Sequence, residues 1–407
     1  MHRLPWAALA ACVPLLPTIA FAQPPTLTLE EALERARAHA PAVLAARDAV
    51  DEARGRLVGA SVLLRDNPEL EGAAGARLLE DGTLLEGDFG LVQFFELGGQ
   101  RGARTAGAQA GVAREIALAQ DATRRVLRDT ALAFFRLLYA EQRVRLATNG
   151  ELITSEVLRV AERRYAAGDI AVLDVDLARA AAARARGDVQ AQRAACEAPR
   201  AELRLLLGMD GSEPLTIRGS LNDRRHYELS QLVAGAPDRP DLHALAAEVH
   251  AADADIQLGR AARWPSVGVG ARYERDDGNN VGLGNIVLRL PIFDRGQGVE
   301  AEALARRQRF AQGLEAGRRA ADIEVRAAFA AYQYRERAVV ELEANALPHL
   351  DENETLARRS YEAGELSLAE LLAIRGEILQ TRIDYADRLL EAAVAAVELE
   401  ASAGVLK

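Results

Sequence analysis

Two kinds of hydrophobic pattern alternate along this chain. In the first, apolar positions recur every three to four residues: Ile116, Val126, Phe134, Leu137 and Val144, with Thr123 and Thr130 filling the spaces. That spacing draws a narrow stripe down one side of an α-helix, close to a heptad period. No proline lies between Pro68 and Pro199, between Pro291 and Pro348, or after Pro348. Those windows are rich in Ala, Arg, Glu and Leu, which are strong helix formers. The pattern predicts one helix from about Gly102 to Thr148, on the order of 70 Å long at 1.5 Å per residue. It predicts a second from about Gly298 to Ala346. Helices this long do not fit one compact core. They point to a coiled-coil stalk or a helical barrel.

The second pattern has a period of two. From Pro265 to Arg275, Val267, Val269, Ala271 and Tyr273 fall on one face, with Ser266, Gly268, Gly270, Arg272 and Glu274 on the other. After the turn composition Asp276-Asp277-Gly278-Asn279-Asn280, Leu283 to Phe293 sets Ile286, Leu288, Leu290 and Ile292 against Asn285 and Arg289. The first half repeats the design. Leu70, Gly72, Ala74, Ala76 and Leu78 oppose Glu69, Glu71 and Arg77. Past Glu80-Asp81-Gly82, Leu85, Phe89, Leu91, Phe95 and Leu97 oppose Glu86, Asp88 and Glu96, with Gln93 the one polar residue on the apolar face. Strands of roughly ten residues with one apolar and one polar face match membrane-spanning β-strands. An ordinary hairpin on a soluble core has the same alternation.

The halves also match in sequence. Tyr165-Ala166-Ala167-Gly168, followed by Ile170, Val172, Asp174 and Val175, reappears 196 positions on as Tyr361-Glu362-Ala363-Gly364, followed by Leu366, Leu368, Glu370 and Leu371; Gly208 and Gly404 keep the same shift. The chain therefore divides into a first repeat over 23–220, with a hairpin at about 68–97, and a second over 221–407, with a hairpin at about 265–293. Each reads as helix, hairpin, long helix, short helix, turn, long helix. Two hairpins give four strands, too few to close a barrel, which needs about eight. Other copies of the chain must complete it.

Residues 1–22 read as a secretory signal: Arg3, an apolar run to Phe21, and Ala20-Phe21-Ala22 as a small-x-small cleavage site. Leu9-Ala10-Ala11-Cys12 is a competing lipobox that would make Cys12 a lipidated N-terminus. After cleavage Cys196 is the one cysteine, so no intrachain disulfide forms. The formal net charge of −10 argues against nucleic acid as a partner. After the signal no run of 18 apolar residues exists, which argues against a spanning helix.

With these pieces together the sequence resembles the TolC-like outer membrane efflux proteins over about residues 27–404. The likeness is carried by Arg239-Pro240-Asp241-Leu242 opening the second repeat, by a Tyr-x-x-Gly turn in each repeat, and by the segments that close the hairpins. These are Phe95-Glu96-Leu97-Gly98-Gly99-Gln100-Arg101 and Pro291-Ile292-Phe293-Asp294-Arg295. The last two resemble the subgroup serving cobalt-zinc-cadmium pumps. The resemblance implies an α+β membrane protein. It implies a homotrimer with a twelve-stranded barrel in outer-membrane lipid and a long periplasmic α-helical barrel, and a periplasmic adaptor and an inner-membrane pump of the RND type docking at its lower end. The implied function is passive efflux of heavy-metal cations, with no cofactor and no catalytic role. The same channel serving drug efflux or type I protein secretion remains open. So does a soluble periplasmic coiled-coil adaptor.

By the same resemblance the gate lies at the Tyr-x-x-Gly turns. Tyr361 occupies the family's gate tyrosine position, and Asp174 and Glu370 occupy acidic positions that point into the pore. The gate arginine position is Leu366 and a second acidic position is Ala373, so both devices depart from the family pattern. Three copies each of Asp174 and Glu370 around one axis would concentrate cations and raise one another's pKa values. Both also sit where an acid suits a helix N-terminus. Gly168 and Gly364 read as left-handed helix caps; with Tyr165 they shape the tip an adaptor meets. His243 and His250, seven apart beside Glu248 and Asp253, are too few for a metal site and read as polar surface. Cys196 reads as a helix-packing residue. Gly98-Gly99 and Gly296-x-Gly298 lack the Gly-Lys-Ser/Thr ending of a phosphate loop and read as strand-to-helix crossings.

Overall fold

The computed structural model describes residues 26–80, 82–277 and 279–406; the leader, with Cys12 and the bond after Ala22, lies outside them. A short strand β1 (Thr26–Leu27) leads to α1 (Leu29–His39) and α2 (Pro41–Ser61). The Thr28 hydroxyl accepts from the Glu31 N–H, and the Glu31 carboxylate accepts from the Thr28 N–H at 2.8 Å, so α1 starts in a capping box. The first hairpin is β2 (Glu69–Leu79) and β3 (Gly82–Glu96). The second is β5 (Ser266–Asp276) and β6 (Asn279–Arg289), after the two-residue β4 (Thr216–Ile217) that pairs in parallel with β1. The four long strands form one antiparallel sheet in the order β2-β3-β5-β6, so β2 and β6 keep one open edge each. β6 runs four residues earlier at both ends than the Leu283–Phe293 pattern. Its ladder stops before Pro291, which has no N–H to donate.

α3 (Gln100–Ala166) is a single helix of 67 residues, about 100 Å long at the usual rise. It therefore overruns the expected end at Thr148. Asn149-Gly150 does not stop it, because Gly150 leaves room for Leu379 of an adjacent helix, whose side chain would lie 3.4 Å from a Cβ there. α3 returns through α4 (Val172–Ala195) and α5 (Glu197–Leu206). The second half runs through α6 (Leu229–Gly235), α7 (Pro240–Ala261), α8 (Gln297–Asn345), α9 (Leu347–Glu362) and α10 (Leu368–Ser402).

Prolines set where these helices break. Pro199 cannot donate to the carbonyl four residues back, and α4 gives way to α5 at Cys196, which is buried in the break. Pro348 does the same to α8 and α9 at Ala346. Counting 196 positions, Pro199 corresponds to Ala395 and Pro348 to Leu152, both inside unbroken helices. The ascending helix is thus continuous in the first half and broken in the second, and the descending helix the reverse.

The core lies where α1, α3, α5 and α10 meet, around Phe134, Leu137, Leu203 and Leu207. A second cluster joins α6, α8 and α10 around Val325, Tyr332 and Leu399. Arg239, singled out in the sequence, ties α7 to this region. Its guanidinium donates to Asp241, to Glu324 at 2.6 Å and to the Ser402 carbonyl at the end of α10. Two carboxylates beside the guanidinium offset the cost of burial, so the net effect is a pKa above the ordinary arginine value.

Candidate functional site

The sheet is inverted relative to a soluble protein. Register fixes its two faces: Leu70, Leu91, Ala271 and Gly284 lie in one row across all four strands, and Gly72, Phe89, Tyr273 and Gly282 in the next. These rows and their neighbours are the exposed ones. Leu85 and Ile286 are each 74% exposed, and Leu70, Phe89, Val269 and Leu288 are exposed too. Among the described residues no protein layer covers this face. Gln93, a polar residue on it, turns its amide to the carbonyls of Asp66 (2.8 Å) and Phe94 (2.9 Å).

The other face carries the charges, and they pair across strands. Arg272 lies 3.3 Å from Asp88 and 3.6 Å from Glu71. Arg77 lies 2.7 Å from both Glu86 and Asp276. Arg289 reaches over the Phe94 ring, 3.5 Å from its centroid, to Glu69. Gly268 keeps this face thin: a Cβ there would sit 2.8 Å from Phe94 and Val92. An apolar face without cover and a charged face with satisfied pairs is the arrangement of a sheet with lipid on one side and water on the other. At its base Gly99 and Gly296 adopt φ of 82° and 76° as the chain turns into α3 and α8. Gly98 has no room for a side chain, since a Cβ would lie 2.6 Å from the Ala261 carbonyl.

At the opposite end of the helices are the two turns. Gly168 and Gly364 have φ of 83° and 81°, and each closes a Schellman cap. Gly168 N–H donates to Tyr165 O and Asp169 N–H to Arg164 O, both at 2.9 Å. Gly364 and Glu365 bond Tyr361 O and Ser360 O in the same way. One apolar cluster joins the turns, with Val157, Ala161, Ala178, Tyr361, Leu368 and Leu371 at its centre and Ile170 and Leu366 at its edge. Tyr361 is 4% exposed and its hydroxyl has no partner. The equivalent Tyr165 stands outside the cluster, exposed.

Asp174 and Glu370 occupy the third position of α4 and α10. Glu370 is exposed and partly engaged: its Oε2 accepts from the Ser367 N–H and hydroxyl, each at 2.8 Å. These bonds hold its carboxyl below the usual carboxylate range. Asp174 has no such partner, because the residue 196 positions before Ser367 is Ala171. The Ser367-x-x-Glu370 capping box was readable in the sequence as a helix-start signature. Arg164, which faces Tyr361, had no signal of its own, since its register depends on how α3 and α9 wind past each other.

Among the described residues no group of three or more His, Cys, Asp and Glu side chains is placed to hold a metal. No described helix is long and apolar enough to cross a membrane. Glu248 pairs with Arg114 (2.8 Å) and Asp253 with Arg307 (2.6 Å).

Comparison with known proteins follows these features. Residues 236–405 match the family described as outer membrane efflux protein. The chain is 28% identical over 367 residues to the cobalt-zinc-cadmium resistance protein CzcC of Cupriavidus metallidurans, covering 88% of this chain and 85% of that one. It is 30% identical over 299 residues to the protein CyaE of Bordetella pertussis, covering 67% and 61%. Among solved structures it superposes on CusC with a TM-score of 0.77 at 20% identity, covering 97% of this chain and 99% of that one. It superposes on the Campylobacter jejuni CmeC outer membrane channel with a TM-score of 0.76 at 16% identity, covering 93% and 85%. The fold is that of these channels.

Proposed function

From the match of residues 236–405 to the outer membrane efflux protein family and the likeness to CzcC over most of both chains, we propose that the chain is one protomer of a passive duct exporting divalent heavy-metal cations across the outer membrane. It is a transport duct and not an enzyme. The sheet carries this reading. Its open edges on β2 and β6 bear unpaired backbone groups, which lipid does not tolerate. Three copies placed edge to edge pair them all and make a barrel of twelve strands. The helices continue that barrel into the periplasm. The division into repeats 23–220 and 221–407 supplies the pseudo-symmetric wall. A soluble periplasmic adaptor would have no use for the uncovered Leu85, Phe89, Ile286 and Leu288.

Below, we assign the turns at Tyr165, Gly168 and Gly364 to contact with a periplasmic adaptor, which in turn meets an inner-membrane pump. Tyr361 acts as a gate residue, and Asp174 and Glu370 as the acids that attract cations at the mouth. The cargo assignment draws on the likeness to CzcC over most of both chains. The test is a deletion strain scored in parallel on cobalt, zinc, cadmium and a panel of drugs. The proposal expects sensitivity to the metals, restored by the gene. Sensitivity confined to drugs would reassign the cargo while leaving the duct.

A further inference from the structure

A cleft of about 550 Å³ opens between α3, α4 and α10, well away from the sheet and adjoining, at Leu372, the cluster that joins the turns. Its walls are apolar, with Leu146, Ile153, Leu372 and Leu379, and small residues such as Gly376 keep it open. The chemistry is concentrated in Arg375. Its Nε and Nη1 atoms are sealed from solvent within the protein and have no hydrogen-bond acceptor. Glu354, the nearest carboxylate by its effect, is engaged instead by Arg382 at 3.2 Å. Burial pulls the Arg375 guanidinium below its ordinary pKa, the direction expected of a cation without a bound anion. Arg143, Arg184 and Arg382 also line the cleft, against the two acids Asp188 and Glu354, so its lining is positive on balance.

Buried polar groups in folded proteins are nearly always paired; with Nε and Nη1 sealed, an acceptor in the cleft meets the outer amino group of Arg375, and a small shift of that side chain brings the inner nitrogens to it. The acceptor that suits a guanidinium is a carboxylate or a similar oxyanion. A volume of about 550 Å³ lies in the range of small-molecule sites, about 300–1,000 Å³, and is too small to seat a partner helix of several turns. We propose that this cleft binds a small amphiphilic organic anion, with its carboxylate on Arg375 and its apolar body against Leu146, Ile153, Leu372 and Leu379. The site is separate from the proposed cation-attracting acids and would bind whether or not the duct carries metals.

The test is equilibrium binding of naphthalene-2-carboxylate to the full-length protein held in lipid nanodiscs, assembled as purified from the outer membrane. Saturable binding is expected. Arg375→Gln should weaken it at least about tenfold, with partial recovery in Arg375→Lys. Acetate, without the apolar body, and 2-naphthylmethylammonium, with the opposite charge, should not compete. Gly376→Leu provides a second variant that leaves the guanidinium in place. A Cβ at this position meets nothing within 4 Å, so the leucine should fold normally and fill the cleft, abolishing binding. Should Arg375→Gln fail to assemble, Gly376→Leu decides. Binding unaffected by Gly376→Leu, equal binding of the naphthyl cation, or no saturable binding to the assembled wild type would each overturn the assignment.

Discussion

The guanidinium of Arg164 lies 5.2 Å from the ring centroid of Tyr361 and donates to the carbonyl of the same residue at 3.4 Å. It fastens the last turn of α3 to the last turn of α9, at the level where the gate is proposed. Leu366 stands where a gate arginine is expected from the family pattern, so this contact is a candidate fastening of a different kind. A cation over an aromatic ring contributes about 0.5–1 kcal/mol at a partly exposed site, which corresponds to a roughly two- to fivefold shift between closed and open tips. Arg164→Ala should raise open probability in single-channel recordings by that factor. Arg163→Ala, one position away and without the contact, should leave it unchanged. Equal effects of the two would remove Arg164 from the gate.

The two turns differ at one equivalent pair, Ala171 and Ser367. Ser367→Ala removes a side-chain cap and should cost about 1 kcal/mol at the start of α10. Ala171→Ser offers α4 a cap of the same kind, with Asp174 three residues on, and should stabilise it by a similar amount. Amide hydrogen exchange over 168–176 and 364–372 reads both changes separately. Slower exchange at the first segment in Ala171→Ser is the expected result.

Neutralising Asp174→Asn and Glu370→Gln together should reduce cation selectivity, measured as a reversal-potential shift towards zero across a salt gradient. Glutamine can still reach back to the Ser367 N–H, so the cap survives the test. Unchanged reversal potentials would leave both acids as helix-start residues only.

The pH dependence follows from the Ser367 bonds. They lower the Glu370 pKa, so its ionised form is favoured in the folded state. That contribution is complete above the ordinary glutamate value, about 4.3, and is lost as pH falls through the lowered folded value. Selectivity due to Glu370 should therefore stay level from about pH 8 to about pH 5 and drop only in stronger acid. A midpoint above about 5 would mean that repulsion among three copies outweighs the cap.

On the sheet, the two faces should respond oppositely to charge. Leu91→Arg introduces a cation mid-sheet on the uncovered face, at a cost of about 2–4 kcal/mol at a bilayer midplane, and should prevent the proposed trimer from assembling in the outer membrane, read by cross-linking of membrane fractions. Arg272→Gln, beside it on the charged face, should assemble normally and alter conductance. Normal assembly of Leu91→Arg would place that face away from lipid.

The strands and the long helices were legible in the sequence because each depends on local periodicity: two for Val267 to Tyr273, three to four for Ile116 to Val144. The ends were less legible. Asn149-Gly150 has the composition of a helix stop, yet Leu379 fills the space that Gly150 leaves and the helix runs on. At the tip, positions could be named but not surroundings. The burial of Tyr361, the placement of Arg164 over it and the unpaired nitrogens of Arg375 all depend on the rotation of one helix about another. No residue spacing records that rotation.

The breaks at Cys196 and Ala346 give the shaft unequal mechanics. α3 is a rigid post with no pivot along its length, whereas α9 is a lever of 16 residues hung from Ala346. A hinge at Ala346 would swing Tyr361 at the lever's far end while Arg164, on the post, stayed in place. Two proline positions that do not match between the halves thus give the two tips different supports, one an unbroken shaft and the other a jointed arm.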